Sequence, residues 1–474
     1  MPSMRPVESA IRARPLSALL TMLLALALPV PSFGQASPAV STIVAFNGST
    51  PNGGIVLGDD GNLYGTSAAN TIVAGGLVFR AAPDGSSIST LHQFTTSEGY
   101  SPAAGLLLGS DGLLYGTTTL GVATEPNTTG TVFRLAPDGS GFTIIYRFAK
   151  WTLSNKNGTA INTDGAYPSA ALIEGSDGLL YGTTQAGGPN GTGAVFRLST
   201  DGSDFQLLHA FGEITSAAQA FPATNVDGAA PLGDLLLAAD GFLYGTTTSG
   251  GTNGRGTIFR LQPDGSGFEV RHTFSQLSTG TTAANVDGAS PLVGLTDGED
   301  GLLYGVTSQG GANGAGTAFS FDPNSGLLTT LHDFETSKGS VPGGALLVGT
   351  DTKLYGTTKF GGTTSSGGAS NLGTLFSIAR DGTGFAVLHN FDGENGSVPV
   401  GRLLQLSDSL LVGVSNSDGS CGQGTLFQYS STGQTVDGDT SCGRKKRSKG
   451  GGGTTPAVLA LLALLGLAGL RRRA

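Results

Sequence analysis

One short phrase, written seven times, constrains this chain more than any other feature. Leu-Tyr-Gly recurs with its tyrosine at Tyr64, Tyr115, Tyr181, Tyr244, Tyr304 and Tyr355, at intervals of 51, 66, 63, 60 and 51 residues, and a degenerate copy stands at Leu411-Val412-Gly413. A second phrase places phenylalanines at Phe79, Phe133, Phe196, Phe259, Phe319, Phe376 and Phe427. A third, of the form Leu-His-x-Phe, ends at Phe46, Phe94, Phe148, Phe211, Phe274, Phe334 and Phe391. Self-similarity at such a period is the mark of a repeat architecture, whose units bury their apolar faces against one another.

One unit is legible from Ala104 to Phe148: GLLLG, Ser110-Asp111-Gly112, LLYGTTT, a loop, GTVFRL, Pro137-Asp138-Gly139 and FTIIYRF. β-Rich runs separated by Asp-Gly pairs read as hairpins, with both central residues of a type I′ turn at positive φ. Four antiparallel strands per unit follow. With 79 glycines in 474 residues and 12% charged residues, the composition suits short strands and many tight turns. The expectation is an all-β fold, a seven-bladed β-propeller of four-stranded antiparallel blades. The chain opens with the fourth-strand phrase, Thr42-Ile43-Val44-Ala45-Phe46, and its last repeat stops at the third-strand phrase, Gly424-Thr425-Leu426-Phe427. The N-terminal strand is therefore expected to join the last blade, removing an open edge. A β-solenoid, with shorter and more regular coils, would not need this staggered start and finish.

The repeat resembles the choice-of-anchor family of GloVer-type (Gloeobacter/Verrucomicrobium) tandem repeats, with the phrase DGxLYGTTxxGGxxxxGTxF. Here it stands as Asp240-Gly241-Phe242-Leu243-Tyr244-Gly245-Thr246-Thr247, with Gly250-Gly251 and Gly256-Thr257-Ile258-Phe259 after it. The resemblance covers about residues 40 to 430. It implies a fold and a location, not a chemistry.

The ends read as addresses. Arg5, Arg12 and Arg14 precede the apolar run LSALLTMLLALALPV and a small-residue site at Gly34-Gln35-Ala36, so residues 1–36 are expected to be a signal peptide. The propeller then spans 37–430, a flexible linker with a glycine run spans 431–456, and an apolar segment with a basic end spans 457–474. The last part, KGGGGTTPAVLALLALLGLAGLRRRA, resembles the GlyGly-CTERM sorting signal. That resemblance implies transient membrane insertion, removal by an envelope protease of the rhombosortase type, and delivery to the surface or medium of a Gram-negative-type bacterium. The alternative is an ordinary short membrane helix, although the apolar stretch from Ala457 to Leu470 falls short of the roughly 20 residues that span a bilayer.

The formal charge is −9; setting aside +2 in the first 36 residues and +8 from residue 444 onward leaves a body near −19. Such a body repels phosphate backbones, so nucleic acid is not an expected partner. Cys421 and Cys442 could form one disulfide in an exported protein. Two free thiols, or a Cys442 belonging to tail processing, are the alternatives.

Few residues invite a chemical reading. His92, His209, His272, His332 and His389 occupy one strand position in different repeats, which points to structure rather than a converged site. The Asp-Gly aspartates Asp111, Asp177, Asp240 and Asp300 are accounted for by hairpins. No nucleophile elbow, HExxH helix, phosphate loop or CxxC pair occurs. The links 149–167, 212–230 and 275–290 are long and lie on one face by topology, where binding residues usually sit. They share the pairs Asn162/Asp164, Asn225/Asp227 and Asn285/Asp287, which are candidate binding residues and contribute part of a Ca²⁺ ligand set, or else fix an Asx-type turn. The expected function is a non-catalytic binding or scaffold module for an extracellular glycan, protein or envelope partner. A secreted polysaccharide hydrolase or lyase is the alternative, with Glu98, Glu125, Glu213, Glu335 and Asp392 as its acids if they converge. A passive structural part of the cell surface is a third reading.

Overall fold

In a computed structural model of the chain, the described residues are 37–68, 75–122, 127–153, 160–214, 222–280, 282–364 and 370–436, together with 438, 440 and 442. They belong to the compact unit that begins at Ser37. The segment expected to be a signal peptide, the glycine run and the apolar tail lie outside the described residues.

Seven antiparallel sheets form the blades. Six are consecutive in sequence, over 56–93, 107–147, 173–210, 236–273, 296–333 and 347–390. In the second, Leu107–Leu108, Leu114–Thr118, Thr131–Leu135 and Thr143–Arg147 pair in order. The seventh combines Ser397–Ser407, Leu410–Ser417 and Thr425–Ser430 with the N-terminal strand Ala39–Ala45, paired from Ala39 with Ser430 to Ala45 with Thr425. The expected closure is thus present, and the molecule is a seven-bladed β-propeller.

The repeat phrase explains itself in the turn. Gly109 donates to Leu113 and Gly112 donates to Gly109, at 2.8 and 2.9 Å, which makes a type I turn followed by one residue, Gly112, at φ +78°. This corrects the type I′ expectation, because the aspartate is not at positive φ. Its right-handed conformation lets Asp111 accept the Leu113 amide at 3.0 Å and the Tyr115 hydroxyl at 2.7 Å. The same Asp-to-Tyr bond recurs at Tyr64, Tyr181, Tyr244, Tyr304 and Tyr355. Burial, then Asp111, pushes the Tyr115 hydroxyl up to about 12, so it stays a donor. The glycine of the phrase makes room for the third-strand phenylalanine: a Cβ at Gly182 would stand 2.6 Å from the Phe196 ring.

The core lies between blades. Seven apolar clusters occur, one for each pair of neighbours, such as Tyr181, Val195 and Phe211 of the third blade against Leu235, Leu243 and Phe259 of the fourth. Strands three and four share a register shift in every blade, for example between Val195 and Phe196 opposite Leu207 and His209. The extra residue, Leu208 in that blade, turns its carbonyl toward Gly265 in the third turn of the next blade. Arg134 and Arg197 extend the same link by donating to Thr200 and Pro263 of the following blade, at 3.0 and 2.9 Å.

Cys421 and Cys442 are joined by a disulfide. The chain after the last strand runs beside Ala39–Ala45, where the Val436 amide donates to Ser41 Oγ at 3.3 Å and Asn47 donates to the Cys442 carbonyl at 2.8 Å. The bridge therefore holds this segment against the strand that closes the ring.

Candidate functional site

The Asn and Asp pairs of the long links are tied into their own loops. Asn162 Oδ1 accepts the Gly165 and Gly188 amides at 2.9 and 2.6 Å, while Nδ2 donates to the Ala149 and Gly165 carbonyls. Asn225 and Asn285 repeat this pattern. Asp164 accepts Tyr146 Oη and the Ala149 amide, Asp227 meets His209 and the Gly212 amide, and Asp287 meets His272 and Ser275. The donors engaging these oxygens are ones a cation would have to displace. Among the described residues no group of three or more His, Cys, Asp or Glu side chains is placed to hold a metal ion.

The histidines belong to the same device. His92, His209 and His332 stack on Phe142, Phe268 and Phe385 of the next blade at 3.4, 3.5 and 3.7 Å, as Tyr146 stacks on Phe205. Among the described residues, His332 and His389 have no hydrogen-bond partner at Nε2. Burial lowers the pKa of both, opposed by Asp333 and Glu335 and aided by Lys338 at His332, and opposed by Asp392 at His389. A lowered histidine pKa means that the unfolded chain binds more protons as the pH falls below about 6.5, so these two groups withdraw stability below that pH. The melting temperature is expected to fall between pH 7 and pH 5, and to fall less in the H332F/H389F variant. Equal slopes for the two proteins would refute this.

Among the described residues, the acids considered for catalysis stand after different blades. Glu98 accepts Thr95 and contacts His92 in the first blade, Glu335 pairs with Lys338 after the fifth, and Asp392 accepts the Glu394 amide after the sixth. Glu213 follows the third blade, and Glu125 lies outside the described residues.

One cavity lies elsewhere, on the axis, where first strands meet. It has a volume of about 300 Å³ and is walled by residues of the third to seventh blades, including Ala171, Asp234, Gly294, Ala345 and Arg402. From that level it follows the first strands to Glu174 and Leu237, toward the Asp-Gly hairpins and away from the long links. Neighbouring strands approach closely here: a Cβ at Gly105 would come 3.3 Å from the Gly54 amide. Asp234 is half-buried and Arg402 is exposed to the lumen. Asp234 Oδ1 accepts the Ala171 amide at 2.7 Å, whereas no protein acceptor bonds the Arg402 guanidinium among the described residues. The two charges interact through space without forming a direct ion pair. Desolvation by the surrounding strands raises the Asp234 pKa, against the Ala171 amide and the Arg402 charge, and lowers that of Arg402. Glu174 is committed to Ser110, accepting its amide and hydroxyl at 2.7 and 2.6 Å.

Asp234 and Arg402 were missed by motif reading, yet a signal exists. Each stands three residues after a repeat proline, and the other blades carry Gly54, Gly105, Ala171, Gly294 and Ala345 at that place. Two opposite charges among five small residues is a departure that alignment of the repeats exposes.

Fold and cavity together define a β-propeller with an axial, charge-bearing pocket. A model of the Gloeobacter/Verrucomicrobia repeat matches residues 32–224 and 215–364, and the chain belongs to that repeat family. No curated protein matches it. Among solved structures, an extracellular domain from B. thetaiotaomicron is similar over 83% of this chain at 11% identity and a TM-score of 0.46; this chain spans 40% of its length. A xyloglucanase from Xanthomonas campestris matches over 80% of this chain and 52% of its own, at 14% identity and 0.49. An oligogalacturonate lyase from Vibrio parahaemolyticus matches over 83% and 97%, at 10% identity and 0.48. At such identities the likeness concerns the fold alone.

Proposed function

We propose that this chain is an exported, non-catalytic binding module, displayed on the cell surface or released from it, with the axial cavity as its binding site. The observation that carries the reading is Arg402, an unpartnered guanidinium facing a cavity on a rigid ring. A guanidinium that faces a cavity without a protein acceptor is available to a ligand. The Cys421–Cys442 bridge suits an oxidising compartment. Residues 1–36 then act as a cleaved signal and 457–474 as a sorting tail of the GlyGly-CTERM kind, with a rhombosortase-type protease as processing partner.

The test is a binding screen of the purified chain against glycans, amino acids and organic acids, with turnover of each hit followed alongside. Saturable binding without product is the expected result. Product formation would replace the reading with an enzyme, and no binding across the panel would remove it.

A further inference from the structure

The register three residues after each repeat proline is occupied by Gly54, Gly105, Ala171, Asp234, Gly294, Ala345 and Arg402. Five blades show that the fold needs no charge there. The other two carry opposite charges in the fourth and seventh blades, and both line one cavity. They attract each other through space but no direct ion pair joins them. Each feels the other's charge through space, yet neither is closed into a direct pair, which leaves both open to a ligand.

We propose that the axial cavity binds a small zwitterion, an α-amino acid with an aliphatic side chain, with its carboxylate on Arg402 and its ammonium on Asp234. The assignment rests on the binding-module reading. Three observations select this class. First, the lumen offers Arg402 as its positive group and Asp234 as the acid nearest to it in register, while both Glu174 oxygens are already engaged by the Ser110 amide and hydroxyl. A ligand with net charge of either sign would meet one like charge, whereas a zwitterion satisfies both. The planar fork of Arg402 matches a carboxylate in two-pronged fashion, and Asp234 keeps an oxygen beyond the one that takes the Ala171 amide. Second, the remaining wall is aliphatic, including Ile173 and Leu236, and contains no aromatic ring on which a sugar face would stack. Third, about 300 Å³ is the small end of the range for ligand pockets.

Calorimetric titration of the purified chain with L-leucine tests this, beside N-acetyl-leucine, which lacks the ammonium, leucine amide, which lacks the carboxylate, and glucuronate, which carries a net negative charge. Leucine is expected to bind saturably, and each blocked analogue roughly 10- to 100-fold more weakly, the range for a lost charge-assisted hydrogen bond. Arg402→Gly and Asp234→Gly should cost a similar factor while leaving the melting temperature close to that of the parent, because glycine stands at that register in three other blades. Leucine binding that survives both substitutions would overturn the proposal. Glucuronate or a glycan binding through Arg402 while leucine does not would overturn the zwitterion and keep the binding module. Silence toward every compound, including the wider panel, would remove both.

Discussion

Phe259→Ala is expected to lower the unfolding free energy by about 3–5 kcal/mol, the range for deleting a fully buried ring. Phe259 is 0% exposed. It lies over Gly245 of its own blade, and its ring meets Phe211 of the third blade at 5.2 Å. The cavity left behind would be walled by strands on both sides, and a ring of seven blades cannot close around a local void without moving the others. Since domains are stable by only about 5–15 kcal/mol, the variant should approach the folding threshold. Val286→Ala is the control; this side chain is 79% exposed, and its loss should change stability by less than about 0.5 kcal/mol. Urea unfolding with unchanged m-values gives both numbers. A cost below about 1 kcal/mol for Phe259→Ala would mean that the inter-blade clusters are not what holds the ring together.

Removing residues 37–46 is expected to be more damaging still. The deletion strips the outer strand from the seventh blade and leaves Thr425–Ser430 as an unpaired edge. It also removes Ile43, Val44 and Phe46, all buried in the cluster between the seventh and first blades. Each such side chain contributes about 1.5–3 kcal/mol, so the loss is on the order of 5 kcal/mol before the ladder is counted. The segment after Ser430 loses the strand it rests on as well. The truncated chain should melt markedly earlier and self-associate through the exposed edge. A synthetic peptide of residues 37–46 should restore a monomer. Light scattering and thermal melts decide the matter: a stable, monomeric truncated chain would show that ring closure contributes little.

Much of the architecture is legible in the sequence. Strand number, blade number and the staggered closure are all matters of periodicity and phase, and Tyr64 through Tyr355 carry that periodicity openly. That the histidines recur once per blade at one strand position was legible too, and three of them stack on a phenylalanine of the next blade. The turn type was misread because Asp-Gly fits two hairpin geometries. What separates them is the aspartate's bonds to Leu113 and Tyr115, contacts that a dipeptide preference does not contain.

The seven copies alone determined the propeller and its closure, because each blade's pattern is local and recurs. Only the tertiary structure decided where the copies differ to effect. Asp234 and Arg402 are 168 positions apart in the chain, and nothing short of seven blades closing on one axis brings them to the same cavity. The bulge that turns Leu208 toward Gly265 was likewise invisible. Its cause is the fit between neighbouring blades, a constraint that belongs to the ring and to no single repeat.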